Sequence, residues 1–503
     1  MAVTRVVPTV SRAAVGAEAL ARLVSRTAGA GAGTRPGYRA LAQGVRALLL
    51  DGRVPLRTRL PAERELAGAL KVSRATVTAA YDLLREGGYA LSRRGAGTWT
   101  ALPEGRRPAN VAAFPVGDGM LDLAIAAPPA PESELLDAYA DAGRALPRHA
   151  AAPGYHPYGL PELRAAIAER FTRRGLATVP EQILVTTGAQ QALSLALSLL
   201  GRPGDRVLVE NPSYPNALDA LRRAGLRAVP VPVTAGGWDT ELITAALRQT
   251  APRAAYLVPD FQNPTGALMP REDRVRIAET ARATGTWLVI DETVSDIALD
   301  VPAPPPFASV VPPGAGEQLL TVGSLSKTHW GGLRVGWIRA GTPLVTELAT
   351  ARVPADMSNP VIDQLVGLGL LDREHEVLRR RLPVLRAQRE ALTTALSLHL
   401  PEWRWQTPPG GLSLWADLGR PVASALARAA LRHGVRIEGG SRFGVDPGTH
   451  EHRLRIPFTL PPEDIEAAVT RLAAALADAG DEGDNGNNGD GEGPGAGRRH
   501  WVA

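Results

Sequence analysis

From Leu121 to about Ala479, short apolar runs alternate with longer helical stretches. That alternation restricts this part of the chain to a mostly parallel sheet wrapped by helices. In such sheets ligands gather at the carboxyl ends of the strands, so the residues that follow each apolar run are the ones to inspect. Residues 101–120 are rich in Pro, Gly, Ala and Arg without a useful period and are expected to be a linker. Residues 480–503 are rich in Gly, Asp and Asn, cannot bury a core, and are expected to be disordered. No internal repeat is present.

Five run ends carry chemistry. Ile183-Leu184-Val185-Thr186-Thr187 enters Gly188-Ala189-Gln190 and then a helix, a glycine-led N-terminus that offers free amides to a phosphate. The run from Arg206 to Glu210 leads to Tyr214, an aromatic placed to stack on a flat ring, and Tyr256 to Pro259 leads to Gln262-Asn263-Pro264-Thr265-Gly266. Trp287 to Ile290 ends in Asp291-Glu292, an anion where a buried pyridinium nitrogen would need one. Leu319 to Val322 leads to Ser324, Ser326 and Lys327, and Arg334 opens a further strand as a second phosphate cation.

Among 54 arginines the chain keeps two lysines, Lys71 and Lys327. A guanidinium cannot lose its proton at working pH, so a lysine kept in Gly323-Ser324-Leu325-Ser326-Lys327 points to a needed amine. A Schiff base to an aldehyde cofactor is the obvious use. Each element has a plain alternative: coding bias for the lysine, a common turn for Asn-Pro-Thr-Gly, a helix cap for Asp291, core packing for Tyr214. Taken in order and together, they match the needs of pyridoxal phosphate.

This body resembles the class I/II aminotransferases of fold type I over roughly residues 121–479. The resemblance implies a pyridoxal phosphate site in which Lys327 forms the Schiff base, Asp291 pairs with the pyridine nitrogen and Asn263 contacts the ring oxygen. It implies that Tyr214 stacks and that Gly188, Ala189, Gln190, Ser324, Ser326 and Arg334 hold the phosphate. Tyr155, in Gly154-Tyr155-His156-Pro157-Tyr158-Gly159, is similar to the tyrosine that reaches the partner subunit's phosphate. Arg455, in Leu454-Arg455-Ile456-Pro457, is similar to the arginine that grips a substrate carboxylate, with Arg453 two residues away on the same strand face. The family also places a tyrosine two or three residues after the aspartate, where this chain has Thr293 and Val294, a departure that bears on turnover. His329 and Trp330, beside the lysine, are candidates for the effector pocket, with core packing the alternative for Trp330.

The first 100 residues hold 16 Lys+Arg against 6 Asp+Glu, and the remainder carries a net −5, the footprint of a domain that docks on a polyanion. Helical spacing over Tyr38–Leu50, a short helix opened by Pro61, a turn at Lys71-Val72 and a helix N-capped by Ser73 make a helix-turn-helix. Tyr89 to Thr100 reads as a hairpin with Arg93 and Arg94 at its tip. Leu60-Pro61-Ala62-Glu63-Arg64-Glu65-Leu66-Ala67, Val72-Ser73-Arg74-Ala75-Thr76-Val77 and Arg94-Gly95-Ala96-Gly97-Thr98 resemble the α+β winged helix-turn-helix of GntR-family regulators over residues 36–100. That resemblance implies DNA contacts from Arg64, Ser73, Arg74 and Thr76, and a wing contact from Arg94 and Gly95.

A GntR-type reader, a linker and an aminotransferase-like body together resemble the MocR-type transcriptional regulators. Implied are a homodimer, operator DNA as partner, and an amine, an amino acid or the cofactor itself as effector. A working aminotransferase with a DNA-binding appendage is the alternative, and a non-specific nucleic-acid-binding enzyme a third reading. The chain has no cysteine for disulfides or thiolate metal sites. With no apolar run of membrane-spanning length and no secretory signal in residues 1–35, a cytoplasmic location is expected. The role of residues 1–35 is otherwise unassigned.

Overall fold

The computed structural model describes residues 14–27, 36–93, 97–103, 119–234, 236–312, 314 and 316–484. Two compact units result. The smaller contains the described residues before 108 together with Gly440–Glu451, and the larger contains the rest.

The smaller unit is built from α1 (Ala17–Thr27), α2 (Tyr38–Leu50), α3 (Glu63–Leu70), α4 (Arg74–Glu86) and a hairpin of β1 (Ala90–Arg93) and β2 (Gly97–Thr100). Leu41, Val45, Leu48 and Leu49 recur at helical spacing along α2 and are fully buried. Lys71 takes the left-handed conformation (φ 54°) that ends α3, and its amide returns to Ala67 and Gly68. Ser73 then caps α4, its Oγ accepting from Thr76 N at 3.0 Å. A helix-turn-helix follows from these local rules. The hairpin pairs Ala90 with Thr100 and Arg93 with Gly97. Its tip, with Arg94 and Gly95, lies outside the described residues.

Two additions were not expected. Helix α1 joins this core, burying Leu20, Ala21 and Val24 beside Leu41 and Val45. Fully burying an aliphatic side chain is worth about 1.5–3 kcal/mol, so α1 contributes directly to the stability of the unit. The second addition is Gly440–Glu451, where His450 N donates to Leu50 O at 2.6 Å and Leu56 N donates to Asp446 Oδ2 at 3.1 Å.

The larger unit contains β3 (Leu121–Leu123), β4 (Ile183–Thr186), β5 (Arg206–Asn211), β6 (Arg227–Thr234), β7 (Gly237–Trp238), β8 (Ala254–Leu257), β9 (Trp287–Asp291), β10 (Leu319–Ser324), β11 (Gly336–Arg339), β12 (Ser413–Asp417), β13 (Val435–Gly439) and β14 (Arg453–Pro457). The main sheet has the order β4-β11-β10-β9-β8-β5-β6-β7. β6, β5, β8, β9 and β10 run parallel, while β11 is antiparallel to both β10 and β4. The strands β4, β5, β8, β9 and β10 therefore release their carboxyl ends along one edge, and β11 begins at that same edge. β8 lies two residues before the run expected at Tyr256–Pro259. Pro259 has no amide for the ladder, and a run buried on both faces gives no period to mark its start.

The smaller sheet, β12-β14-β13-β3, buries Leu414, Leu454, Ile456 and Ile437 against Leu426 and Ile465. Helices α5 (Glu132–Ala150) and α6 (Pro161–Arg173) precede β4, and α7 (Gly188–Leu200) follows it. The last helix, Pro462–Asp484, continues past residue 480, where disorder was expected; residues 485–503 lie outside the described part. Residues 104–118, most of the expected linker, do so as well. Among the described residues no helix is long and apolar enough to cross a membrane, and no metal-ligand cluster is present.

Candidate functional site

At the carboxyl edge of the main sheet lies a cavity of about 200 Å³. It gathers residues from all five strand ends, among them Ala189, Gln190, Tyr214, Asn263, Asp291, Ser324, Ser326, Lys327 and Arg334. Residues far apart in sequence thus meet, because parallel strands bring every loop to one edge.

The phosphate-like end forms where β4 turns into α7. Gly188 has φ 75°, and a Cβ there would lie 2.5 Å from Arg334 Nη2, so both conformation and space demand glycine. Arg334 is itself left-handed (φ 54°), which folds its guanidinium back to donate to Thr187 O (3.1 Å) and Gly331 O (3.2 Å). Ser324 Oγ and Ser326 Oγ are 2.9 Å apart, and Ser324 Oγ also binds Val335 O. Gln190 Nε2 donates to Asn216 O, whereas its buried Oε1 has no partner among the described residues.

At the other end, Asp291 is held by three donors. Tyr256 Oη reaches Oδ2 at 2.7 Å, and Thr293 Oγ1 and N reach Oδ1 at 2.7 and 3.0 Å. Tyr214 is half-buried, its hydroxyl accepting from Asn216 Nδ2 at 2.9 Å, and the loss of water around that hydroxyl raises its pKa. Lys327 Nζ donates to Ala126 O at 2.9 Å. Burial, assisted by the positive Arg455 and Arg334, lowers the Lys327 pKa to about 8, so a sizeable neutral fraction exists near neutrality.

Pyridoxal phosphate fits these residues. Around one cavity they supply an amine able to shed its proton, a carboxylate, an amide, a phenol, a guanidinium, two hydroxyls and the start of a helix, the groups this cofactor requires. Gln190 lines the cavity, and its buried Oε1, unpartnered among the described residues, is an atom left for a ligand to satisfy.

Several expected residues stand outside the cavity wall. Arg455 is fully buried and donates to Asn263 Oδ1 at 3.4 Å and to Ala124 O, and burial lowers its pKa to about 10. Arg453, on the same strand face, pairs with Asp417 at 3.1 Å, so of the two only Arg455 is bonded to a residue of the cavity. Tyr155 is 63% exposed and does not line the cavity. His329 and Trp330 do not line it either: His329 is buried with Nδ1 2.8 Å from Thr328 Oγ1, and burial holds its pKa down at about 4.

Three further residues had not been singled out as parts of the site. Tyr256 and Thr293 clasp Asp291. The buried Glu210 accepts from Trp238 Nε1, Val258 N and Gln262 Nε2, tying the end of β5 to the turn that carries Asn263, and burial raises its pKa to about 7. The sequence of β8 carried a hint, since a tyrosine in a run buried on both faces needs a partner for its hydroxyl.

In the reader, Arg64, Ser73 and Arg74 are exposed and Thr76 half-buried at the start of α4 or on α3. Arg74 Nε bonds Glu63 Oε2 at 3.2 Å with its side chain 73% exposed.

The family described as "Aminotransferase class I and II" matches residues 118–472, and "Bacterial regulatory proteins, gntR family" matches residues 37–99. The chain is 32% identical to a 2-aminoadipate transaminase of Thermus thermophilus over 69% of this chain and 86% of that protein. It is 31% identical to the "Probable rhizopine catabolism regulatory protein MocR" of Rhizobium meliloti, over 81% of this chain and 87% of that one. Among solved structures it is similar to LysN, an alpha-aminoadipate aminotransferase from Thermus thermophilus complexed with N-(5'-phosphopyridoxyl)-L-leucine. There the TM-score is 0.67 and the identity 32%, covering 72% of this chain and 94% of that one.

Proposed function

The chain belongs to the class I and II aminotransferases, in the MocR-type arrangement with a GntR-family domain ahead of the aminotransferase-like one, and on that premise we propose that it is a transcriptional regulator gated by pyridoxal phosphate and an amino-acid or amine effector. The observation that carries the reading is the presence, in one chain, of a complete helix-turn-helix and a cavity lined by Lys327, Asp291, Asn263 and Arg334.

In this reading Lys327 holds the cofactor aldehyde, Asp291 faces its ring nitrogen, Asn263 its ring oxygen, and Tyr214 one ring face. Gly188, Ala189, Gln190, Ser324, Ser326 and Arg334 hold its phosphate. When bound, the group supplies an electron-withdrawing ring that draws charge from the carbon next to an amino acid's nitrogen. Arg455, buried and bonded to Asn263, receives the effector carboxylate. The protein works as a homodimer, in which the exposed Tyr155 serves the partner's site and two readers meet paired operator half-sites. Arg64, Ser73, Arg74 and Thr76, with Arg94 and Gly95 of the wing, contact DNA. Chain continuity supports a link between the two activities. The segment Gly440–Glu451, part of the reader unit, runs directly into β14 and Arg455.

The similarity to transaminases supports a second reading, catalytic turnover. Incubation of the loaded protein with an amino acid and a keto-acid acceptor separates the two. A sensor releases no more than a single equivalent of keto acid per subunit; repeated release that regenerates the cofactor would make it an enzyme.

A further inference from the structure

The positions two and three residues after Asp291, where the family's tyrosine helps hold the ring oxygen, carry Thr293 and Val294, and Asp291 itself accepts from two hydroxyls of this chain. One hydroxyl comes from its own turn, where Thr293 Oγ1 lies 2.7 Å from Oδ1, with Thr293 N at 3.0 Å on the same oxygen. The other comes from a neighbouring strand, where Tyr256 Oη lies 2.7 Å from Oδ2. The register of the sheet explains the second contact. Tyr256 pairs with Val289 on β9, two residues before Asp291, so its ring on the pleat lies beside the carboxylate. Tyr256 is 1% exposed and Asp291 7% exposed, which leaves neither group a comparable partner in water.

Resting on the reading that this cavity holds pyridoxal phosphate, we propose that Tyr256 is a positioning residue which, with Thr293, fixes the Asp291 carboxylate and sets how strongly it draws on the ring nitrogen. Burial and the adjacent Asp291 charge keep the Tyr256 phenol protonated, so it acts only as a donor. A carboxylate that accepts from two hydroxyls and an amide has its charge spread over those donors, and a further N–H feels a weaker pull. A weaker pull makes the ring a poorer electron sink, which favours holding an effector over turning it over. Tyr256 thereby deepens the sensor reading, acting through Asp291 rather than on the cofactor.

The test is a pH titration of the visible absorbance of the pyridoxal phosphate-loaded full-length protein, comparing wild type, Tyr256→Phe and Thr293→Val. Each variant deletes one hydroxyl donor and keeps the shape of the side chain nearly unchanged. Both should retain stoichiometric cofactor, and the midpoint of the titration should move upward by about one pH unit in each, because a more negative carboxylate stabilises protonated cofactor. A purely structural role would lower the melting temperature without moving the midpoint. Cofactor bound in full with an unmoved midpoint in both variants overturns the proposal. Should Tyr256→Phe fail to fold, an unmoved midpoint in Thr293→Val overturns it alone. Wild-type protein that develops no visible band removes the site reading itself, and the proposal with it.

Discussion

Lys327→Ala removes the visible absorbance that wild-type protein acquires with pyridoxal phosphate, and does so without unfolding the chain. The expected loss is complete, because only a neutral amine can condense with the aldehyde and no second lysine is available: Lys71 belongs to the reader unit. The fold should tolerate the change. The hydrogen bond that Lys327 gives up, to Ala126 O, is worth about 1 kcal/mol. Its charge also lies near the positive Arg455 and Arg334, so removing it relieves repulsion inside a buried site. In wild type, the visible band should develop faster on adding pyridoxal phosphate as pH rises through about 8, where the amine sheds its proton. A variant that keeps the band, with an unchanged melting temperature, would remove Lys327 from the site.

Arg74→Ala lowers affinity for operator DNA about ten- to a hundredfold and leaves stability nearly unchanged. Arg74 is the first residue of α4, the position from which a recognition helix reaches the major groove. In the free protein its guanidinium bonds Glu63 with the side chain 73% exposed, and an exposed pair of this kind adds about 0–1 kcal/mol. The side chain is therefore available to DNA at small cost. Arg64→Ala should behave similarly, and a phosphate contact would weaken all sequences alike while lowering the salt dependence. Mobility-shift titrations at two salt concentrations distinguish these cases. Undiminished affinity in both variants would take α3 and α4 out of the DNA interface.

Much of the architecture could be read from the residues because its chemistry is local. Strand ends announce themselves by the loops that follow, and the N-cap Ser73 and the turn at Lys71 obey short-range rules. Contacts between neighbouring strands could not be read that way. Tyr256 lies 35 positions before Asp291, and only the register of β8 against β9 brings them together. The sequence left Arg453 and Arg455 alike for the same reason, since a period of two puts both on one face; across strands, Arg453 pairs with Asp417 while Arg455 reaches Asn263. Arg334 was found by its charge, but its left-handed backbone and the antiparallel direction of β11 were not. Helix α1 hid in a stretch whose small residues gave a weak pattern, and Gly440–Glu451 gave no signal that it packs with the first hundred residues.

Regulation of this kind requires the cofactor site to speak to the DNA reader. The decisive measurement is a titration of the full-length protein against the DNA upstream of its own gene and a scrambled duplex, at physiological salt, with and without pyridoxal phosphate and a candidate amino acid. Selective binding whose affinity changes when the cofactor is added, and not in Lys327→Ala, is the predicted result. Binding that ignores both sequence and cofactor, in a protein that releases keto acid turn after turn, would contradict it and make the chain an aminotransferase with a basic appendage.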